Sequence, residues 1–232
     1  YNIDYLKKLI DKNSVISFDI FDTLLLRPYA KPSNVFQHLE EINNAIGFSV
    51  VREQAEYNLR KYKDIEYGNY NEIYSILPAD FQFLKGKEIQ LEKDTIYANP
   101  QMKQIFDYAN SLNKIIILTS DMYFSSSILK DILKKNWRSR HSKIGALLYE
   151  NNSDDLLLKS NEIKKVGCVG AGVIGYSWAL YFSLKKLEVN VYDINQEGLD
   201  LAKTRVHESL ESLKKNDVVT DEKIKEIEAR IK

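Results

Sequence analysis

The residues best suited to chemistry in this chain are three glycines and an aspartate near its end. Gly170, Gly172 and Gly175 stand at G-x-G-x-x-G spacing, after the apolar run Val166–Val169 and before a helical segment. A second apolar run follows and ends in Asp193. This is the pattern of a dinucleotide-binding βαβ unit. In such a unit the first glycine permits a tight turn. The second has no Cβ, so the backbone can approach a diphosphate, and the third lets helix and strand pack closely. The helix N-terminus, here at Val173 and Ile174, offers N–H groups and a positive dipole end to the phosphates. Asp193 stands at about the 20-residue interval at which an acidic residue accepts hydrogen bonds from the adenosine ribose. A 2′-phosphate would be repelled there, and Ile194 and Asn195 bring no arginine to receive one. The expected cofactor is therefore NAD rather than NADP. The expected cofactor-binding residues are Gly170, Gly172, Val173, Ile174, Gly175 and Asp193.

A second set of reactive side chains lies near the start. The apolar run Val15–Phe18 ends in Asp19, and Thr23 follows four residues later. A carboxylate at the end of a buried strand with a hydroxyl close behind suits a ligand site at the edge of an α/β sheet. A strand that ends in a capping aspartate would carry the same letters. The isoleucine-rich run Lys114–Leu118 reads as another buried strand, closing in Thr119-Ser120. Ser120, with Thr119 as the fallback, can donate a hydrogen bond to a phosphoryl oxygen without adding charge.

The elements that must hold these groups follow from periodicity. Asp4–Lys12 has helical spacing. Pro28 to about Asn99 reads as mostly helical, with candidates at Asn34–Ile46, Val50–Lys63, Tyr70–Leu77 and Gly86–Tyr97. Ser33 is the expected N-cap of the first of these. The tyrosines of this block, Tyr57, Tyr62, Tyr67, Tyr70 and Tyr74, read as core and surface, because no basic stripe accompanies them as a base-stacking platform requires. Asn99-Pro100 opens a helix to about Leu112, and Ser125–Ser127 can cap Ile128–Lys135. Ile144–Tyr149 reads as a strand, Gln196–Leu213 as an amphipathic helix, and Asp221–Ile231 as a helix capped by Thr220.

Thirty-three basic residues balance 33 acidic ones. That balance supplies no field to attract nucleic acid or an anionic membrane. No apolar run approaches the ~20 residues of a membrane span, and no signal peptide opens the chain, so the cytoplasm is the expected compartment. The one cysteine, Cys168, sits mid-strand and reads as a small core residue.

Two resemblances sharpen these readings. The stretch KKVGCVGAGVIGYSWALYFSLKKLEVNVYDINQEGLDLAKTRVHESLESL resembles the start of the 3-hydroxyacyl-CoA dehydrogenase family, in the branch that includes lambda-crystallin. The resemblance covers about residues 163–232. It implies a partial NAD-binding Rossmann domain and hydride transfer with a 3-hydroxyacyl thioester or a related hydroxy acid, in a fatty-acid setting. The family's catalytic histidine, its glutamate partner and the substrate-contacting serine and asparagine come later than Lys232 and have no place in these residues.

The stretch FDIFDTLLLRP, residues 18–28, resembles motif I of the haloacid dehalogenase (HAD) superfamily. It implies a HAD-like domain over residues 1–160, with a helical cap at about 28–98. Asp19 aligns with the family's nucleophile, which forms a covalent aspartyl intermediate. Thr23 aligns with the motif I hydroxyl, Ser120 with motif II, and Lys159 falls near the motif III lysine, where a solvated surface lysine is the alternative. A magnesium ion would use Asp19 and the Phe21 carbonyl. HAD phosphatases carry a second aspartate where this chain has Phe21; Asp22 comes one residue later and on an extended chain points the other way. No motif IV follows, since Asp154-Asp155 come too early.

The expected fold is thus α/β: a HAD-like Rossmannoid parallel sheet with an inserted helical cap, then a partial NAD-binding βαβ unit and C-terminal helices. Asn151–Lys165 has no proline or glycine of a natural linker, so the joint is read either as a fusion or incomplete record, or as a hybrid whose sheets complement each other. Separate truncated sheets would expose strand edges and favour homo-oligomers or poor solubility. Three functions stay open: an NAD-binding oxidoreductase module acting on an acyl-CoA substrate, a HAD-type phosphohydrolase acting on a small phosphoester, and a hybrid or fragment without activity. Key catalytic residues of both families are missing from the chain, which leaves its enzymatic status open.

Overall fold

The computed structural model describes residues 2–63, 69–120, 122–136, 147–148 and 163–232. In chain order its elements are α1 (Ile3–Lys12), β1 (Val15–Asp19), β2 (Leu25–Leu26), α2 (Asn34–Asn43), α3 (Phe48–Lys63) and α4 (Tyr70–Ser75). A 3-10 segment at Ala79–Leu84 leads into α5 (Lys85–Thr95), β3 (Tyr97–Ala98), α6 (Pro100–Ser111), β4 (Ile115–Thr119), α7 (Ser126–Asn136) and β5 (Leu147–Leu148). The chain ends with β6 (Lys165–Val169), α8 (Val173–Leu184), β7 (Glu188–Tyr192), α9 (Gln196–Lys215) and α10 (Asp221–Glu228). The chain is α/β.

The residues form two compact units. The first comprises Tyr1–Leu24, Asn99–Ser120 and Arg140–Lys232. Its centre is a five-stranded sheet of order β5-β4-β1-β6-β7, in which every pairing is parallel. In chain order this is the 3-2-1-4-5 arrangement of a doubly wound sheet. β1 is central because its apolar residues pair on both sides: Phe18 stands level with Leu118 of β4 and with Val169 of β6. Val15, Ile16 and Phe18 are fully buried, as expected of a strand covered on both faces. The strand before the glycines therefore continues the sheet begun by β1 and β4.

Helix α8 is apolar around most of its circumference, which suits a helix buried between layers. Ala179 and Phe182 pack with Val166, Cys168 and Val189 of the sheet. Its other side meets α9 and α10 through Leu180, Val206, Leu210, Ile224 and Ile227. Thr220 caps α10 by accepting from the Lys223 N–H. The last helix is shorter than the sequence pattern suggests. Ile231 leaves it to bridge Val189 in parallel, and the Val191 N–H donates to the Lys232 carbonyl at 2.8 Å. The outer edge of β7 takes up these backbone groups.

The second unit comprises Leu25–Ala98 and Asp121–Ser139 and is mainly helical, with β2 and β3 paired antiparallel. Its helices follow the apolar periodicity within a few residues, but the expected cap at Ser33 is absent. Ser33 has helical dihedrals and makes no side-chain capping bond. The Asn34 Oδ1 accepts from the Lys31 N–H at 2.9 Å, which ties down the turn before the helix. A polar cluster is buried within the unit. The Arg52 guanidinium is fully buried. It donates to both oxygens of Glu88 at 3.1 and 3.0 Å and to Glu56 at 3.0 Å. Tyr74 donates to Glu88 at 2.7 Å, and the Phe36 and Tyr123 rings lie 4.5 and 4.7 Å from the guanidinium carbon. Of the tyrosines singled out from sequence, Tyr70 and Tyr74 are core and Tyr57 is exposed; Tyr67 lies outside the described residues.

Candidate functional site

In an open parallel sheet, ligands bind beyond the carboxyl ends of the strands, where the strand order reverses. Here that point lies between β1 and β6. The carboxyl end of β1 brings Asp19, β4 brings Thr119 and Ser120, β6 runs into Gly170, and β7 runs into Asp193.

The turn after β6 has the conformation its glycines permit. Gly170 has φ +99°, a region L side chains rarely adopt. Its N–H donates to the Tyr192 carbonyl at 2.8 Å, tying the turn to the end of β7. A Cβ on Gly175 would lie 1.8 Å from the Gly170 carbonyl oxygen, so α8 could not start so close to the turn with any other residue there. Gly172 differs: a Cβ there would meet nothing within 4 Å. It opens onto free space at the start of α8, where as N-cap residue it has no side chain to cap the helix. The first-turn N–H groups of a helix have no intrahelical acceptor. Val173 is exposed beside the opening, whereas Ile174 is buried and anchors the helix.

Asp193 faces the same turn. One carboxylate oxygen accepts from the Ala171 N–H at 2.7 Å, the other from the Asn195 N–H at 3.0 Å. Its orientation is set by backbone donors, and a carboxylate keeps lone pairs for further donors.

Across the turn from Asp193 lies the end of β1. The Thr23 hydroxyl donates to Asp19 Oδ2 at 3.3 Å. A Cβ on Gly170 would come within 3.2 Å of Thr23 Oγ1 and 3.3 Å of Asp19 Cβ. The two sets of residues found separately in the sequence are therefore neighbours. The segment between them is clamped: Asn99 donates its side-chain amide to the Thr23 carbonyl at 2.9 Å and its N–H to the Leu24 carbonyl at 2.8 Å. The same Asn99 caps α6, accepting from Gln101 and Met102. Asn99-Pro100 is legible as a helix start, but the grip of Asn99 on a turn 76 residues earlier has no local signal. The chain after β1 is a turn rather than extended, and Asp22 has φ +59° and is exposed. The sequence reading of its direction assumed an extended chain, which does not apply here.

The remaining expected residues divide. The Thr119 hydroxyl is buried and donates to the Phe18 carbonyl at 3.2 Å, so it serves the strand pair. Ser120 follows β4 and is half-buried. Lys159 and Asp154-Asp155 lie outside the described residues. Among the described residues no three His, Cys, Asp or Glu side chains gather as a metal site. Cys168 is buried in β6, and burial pushes its thiol up to about 12, which suits packing rather than nucleophilic attack. Among the described residues no helix is long and apolar enough to cross a membrane.

No curated protein matches the chain. Residues 165–232 match the family described as 3-hydroxyacyl-CoA dehydrogenase, NAD binding domain, so this part of the chain is similar to a dehydrogenase-type NAD-binding module.

Proposed function

We propose that the chain binds NAD at the glycine turn and serves an oxidoreductase of the 3-hydroxyacyl-CoA dehydrogenase type, acting on a 3-hydroxyacyl thioester or a related hydroxy acid. The observation that carries this reading is the open face of Gly172 at the start of α8, with Asp193 turned toward the same turn. Gly172, Val173 and Ile174 present backbone N–H groups to a diphosphate, and the helix dipole favours its charge. Gly170 and Gly175 keep turn and helix close enough for that. Asp193 accepts from the adenosine ribose hydroxyls and sets NAD over NADP. Bound NAD would accept hydride.

Titration calorimetry of the full chain tests the reading. In Gly172→Val the added Cβ meets no atom within 4 Å, and the position's φ of −59° suits a side chain. The variant keeps its fold and loses affinity at least about tenfold, because the diphosphate can no longer reach the helix N–H groups. Asp193→Ala weakens binding severalfold. Unchanged affinity in both variants rejects the site.

A second reading rests on a different observation, the hydrogen bond from Thr23 to Asp19 at the carboxyl end of β1. In it the Asp19 carboxylate attacks a phosphoester at phosphorus and expels the alcohol, and water then releases phosphate from the aspartyl intermediate. Magnesium-dependent phosphate release from small phosphoesters, abolished in Asp19→Asn, would establish it; no release from any phosphoester rejects it.

A further inference from the structure

The strand order places a carboxyl group, that of Asp19, against the glycine turn, on the side away from Asp193. β7, β6 and β1 are successive neighbours, spaced by about 5 Å in any sheet. A dinucleotide held at Asp193 by its adenosine ribose and at the glycine turn by its diphosphate has one direction left, over the end of β1. There Asp19 and Thr23 stand so close that a Cβ on Gly170 would lie 3.9 Å from Asp19 Oδ2. Thr23, buried and donating to that same oxygen at 3.3 Å, keeps the carboxylate in place. Asp22 adds a second carboxylate in the same turn.

We propose that Asp19, positioned by Thr23, is a specificity-determining residue of the coenzyme site: its carboxylate makes the site favour the oxidised coenzyme, whose nicotinamide ring is positively charged, over the reduced coenzyme, whose ring is neutral. The inference rests on the coenzyme reading above and goes beyond it by naming which redox form the site selects. The two forms share their adenosine and their diphosphate. Repulsion between Asp19 and the diphosphate is therefore common to both and cancels in the ratio of their affinities. Only attraction to the charged ring survives. Two unit charges about 4 Å apart in water interact strongly enough to alter a binding ratio by about fivefold. A site of this sign draws in the coenzyme form that accepts hydride and releases the form that has received it, so it runs toward oxidation of a hydroxy substrate.

Calorimetric titration of the full chain at low salt with NAD, NADH and ADP-ribose tests this, in the wild type and in Asp19→Asn. The wild type prefers NAD to NADH. In Asp19→Asn the preference falls about fivefold, while NADH and ADP-ribose, which lack the positive ring, tighten together. An affinity ratio that stays the same in Asp19→Asn, with all three ligands still bound, overturns the inference and leaves the coenzyme site standing. Failure of the wild type to bind any of the three overturns both. If Asp19→Asn does not fold, the wild type alone decides. Raising the salt from about 0.02 M to about 0.5 M shortens the screening length several-fold and must shrink the NAD-to-NADH ratio toward one. A ratio that does not respond to salt overturns the inference by itself.

Discussion

Two regions of this molecule concentrate polar groups, and they do so in opposite ways. In the helical unit the Arg52 guanidinium spends its donors on Glu88 and Glu56, Glu88 takes a further bond from Tyr74, and aromatic rings cover the charge. Burial works against that guanidinium's charge, and Tyr123, Glu88 and Glu56 around it more than compensate, holding it protonated. Burial, with the Glu88 charge nearby, raises the Tyr74 and Tyr123 phenols, and Tyr74 stays a neutral donor to Glu88. At the glycine turn the polar groups are presented rather than consumed. Asp193 is aimed by two backbone N–H groups, and Gly172 opens onto space. A polar cluster that satisfies itself holds a fold, whereas one built around an opening is arranged for something that comes and goes.

The largest expected effect follows from breaking the closed cluster. Arg52→Met leaves the Glu88 carboxylate buried without its bidentate partner, and such losses cost roughly 3–5 kcal/mol. Urea denaturation should read that loss. The double change Arg52→Met with Glu88→Leu should recover a large part of it, since well-packed apolar replacements of buried ion pairs are often neutral. If the single variant loses under about 1 kcal/mol, the cluster is not closed and the contrast between the regions fails.

A smaller effect separates two glycines of one turn. In Gly175→Ala the new methyl collides with the Gly170 carbonyl oxygen, and overpacking of this kind costs about 1–3 kcal/mol. Gly172→Ala meets no atom within 4 Å and should leave the melting temperature within a degree or so of the wild type, as substitutions without a strained or buried contact do. Equal losses in the two would mean that Gly172 has a packing role and the opening beside it is not free space.

Much of this arrangement was legible in the sequence, and the missing part has one physical cause. β1, β4, β6 and β7 are short runs of β-branched and aliphatic residues, and α6 carries Asn99-Pro100 at its start. Local pattern suffices for such elements. The glycine spacing marked the turn, because only a few backbone conformations place three glycines that way. Pairing between strands is not local. β6 lies beside β1 because two fully buried strands find each other across some 150 residues of chain, and neither strand's letters name its neighbour. For that reason Asp19 and Gly170 were read as parts of separate sites. The Arg52–Glu88 pair escaped for the same reason, being 36 residues apart with ordinary surface-type letters. Asp22 shows the converse error: an extended chain was assumed where the backbone turns through a positive φ.

The smallest expected effect belongs to an ion pair that is neither closed nor part of the opening. His207 of α9 meets Glu228 of α10, with 2.7 Å between Nδ1 and Oε1, and both side chains are exposed. The hydrogen bond that His207 donates to Glu228, and then the Glu228 charge, raise the His207 pKa above its ordinary value. A raised histidine pKa adds stability that is fully present below the unfolded pKa of about 6.5 and is lost as pH climbs through the folded pKa. His207→Gln should therefore melt slightly lower than the wild type at about pH 5.5 and indistinguishably from it at about pH 9. Because the pair lies in water, high salt should erase even the acidic difference, whereas the deficit of Arg52→Met, arising in a water-excluded cluster, should persist. If salt erased both deficits alike, the guanidinium would have to be as solvated as the imidazole, and the closed character assigned to the helical unit would be lost.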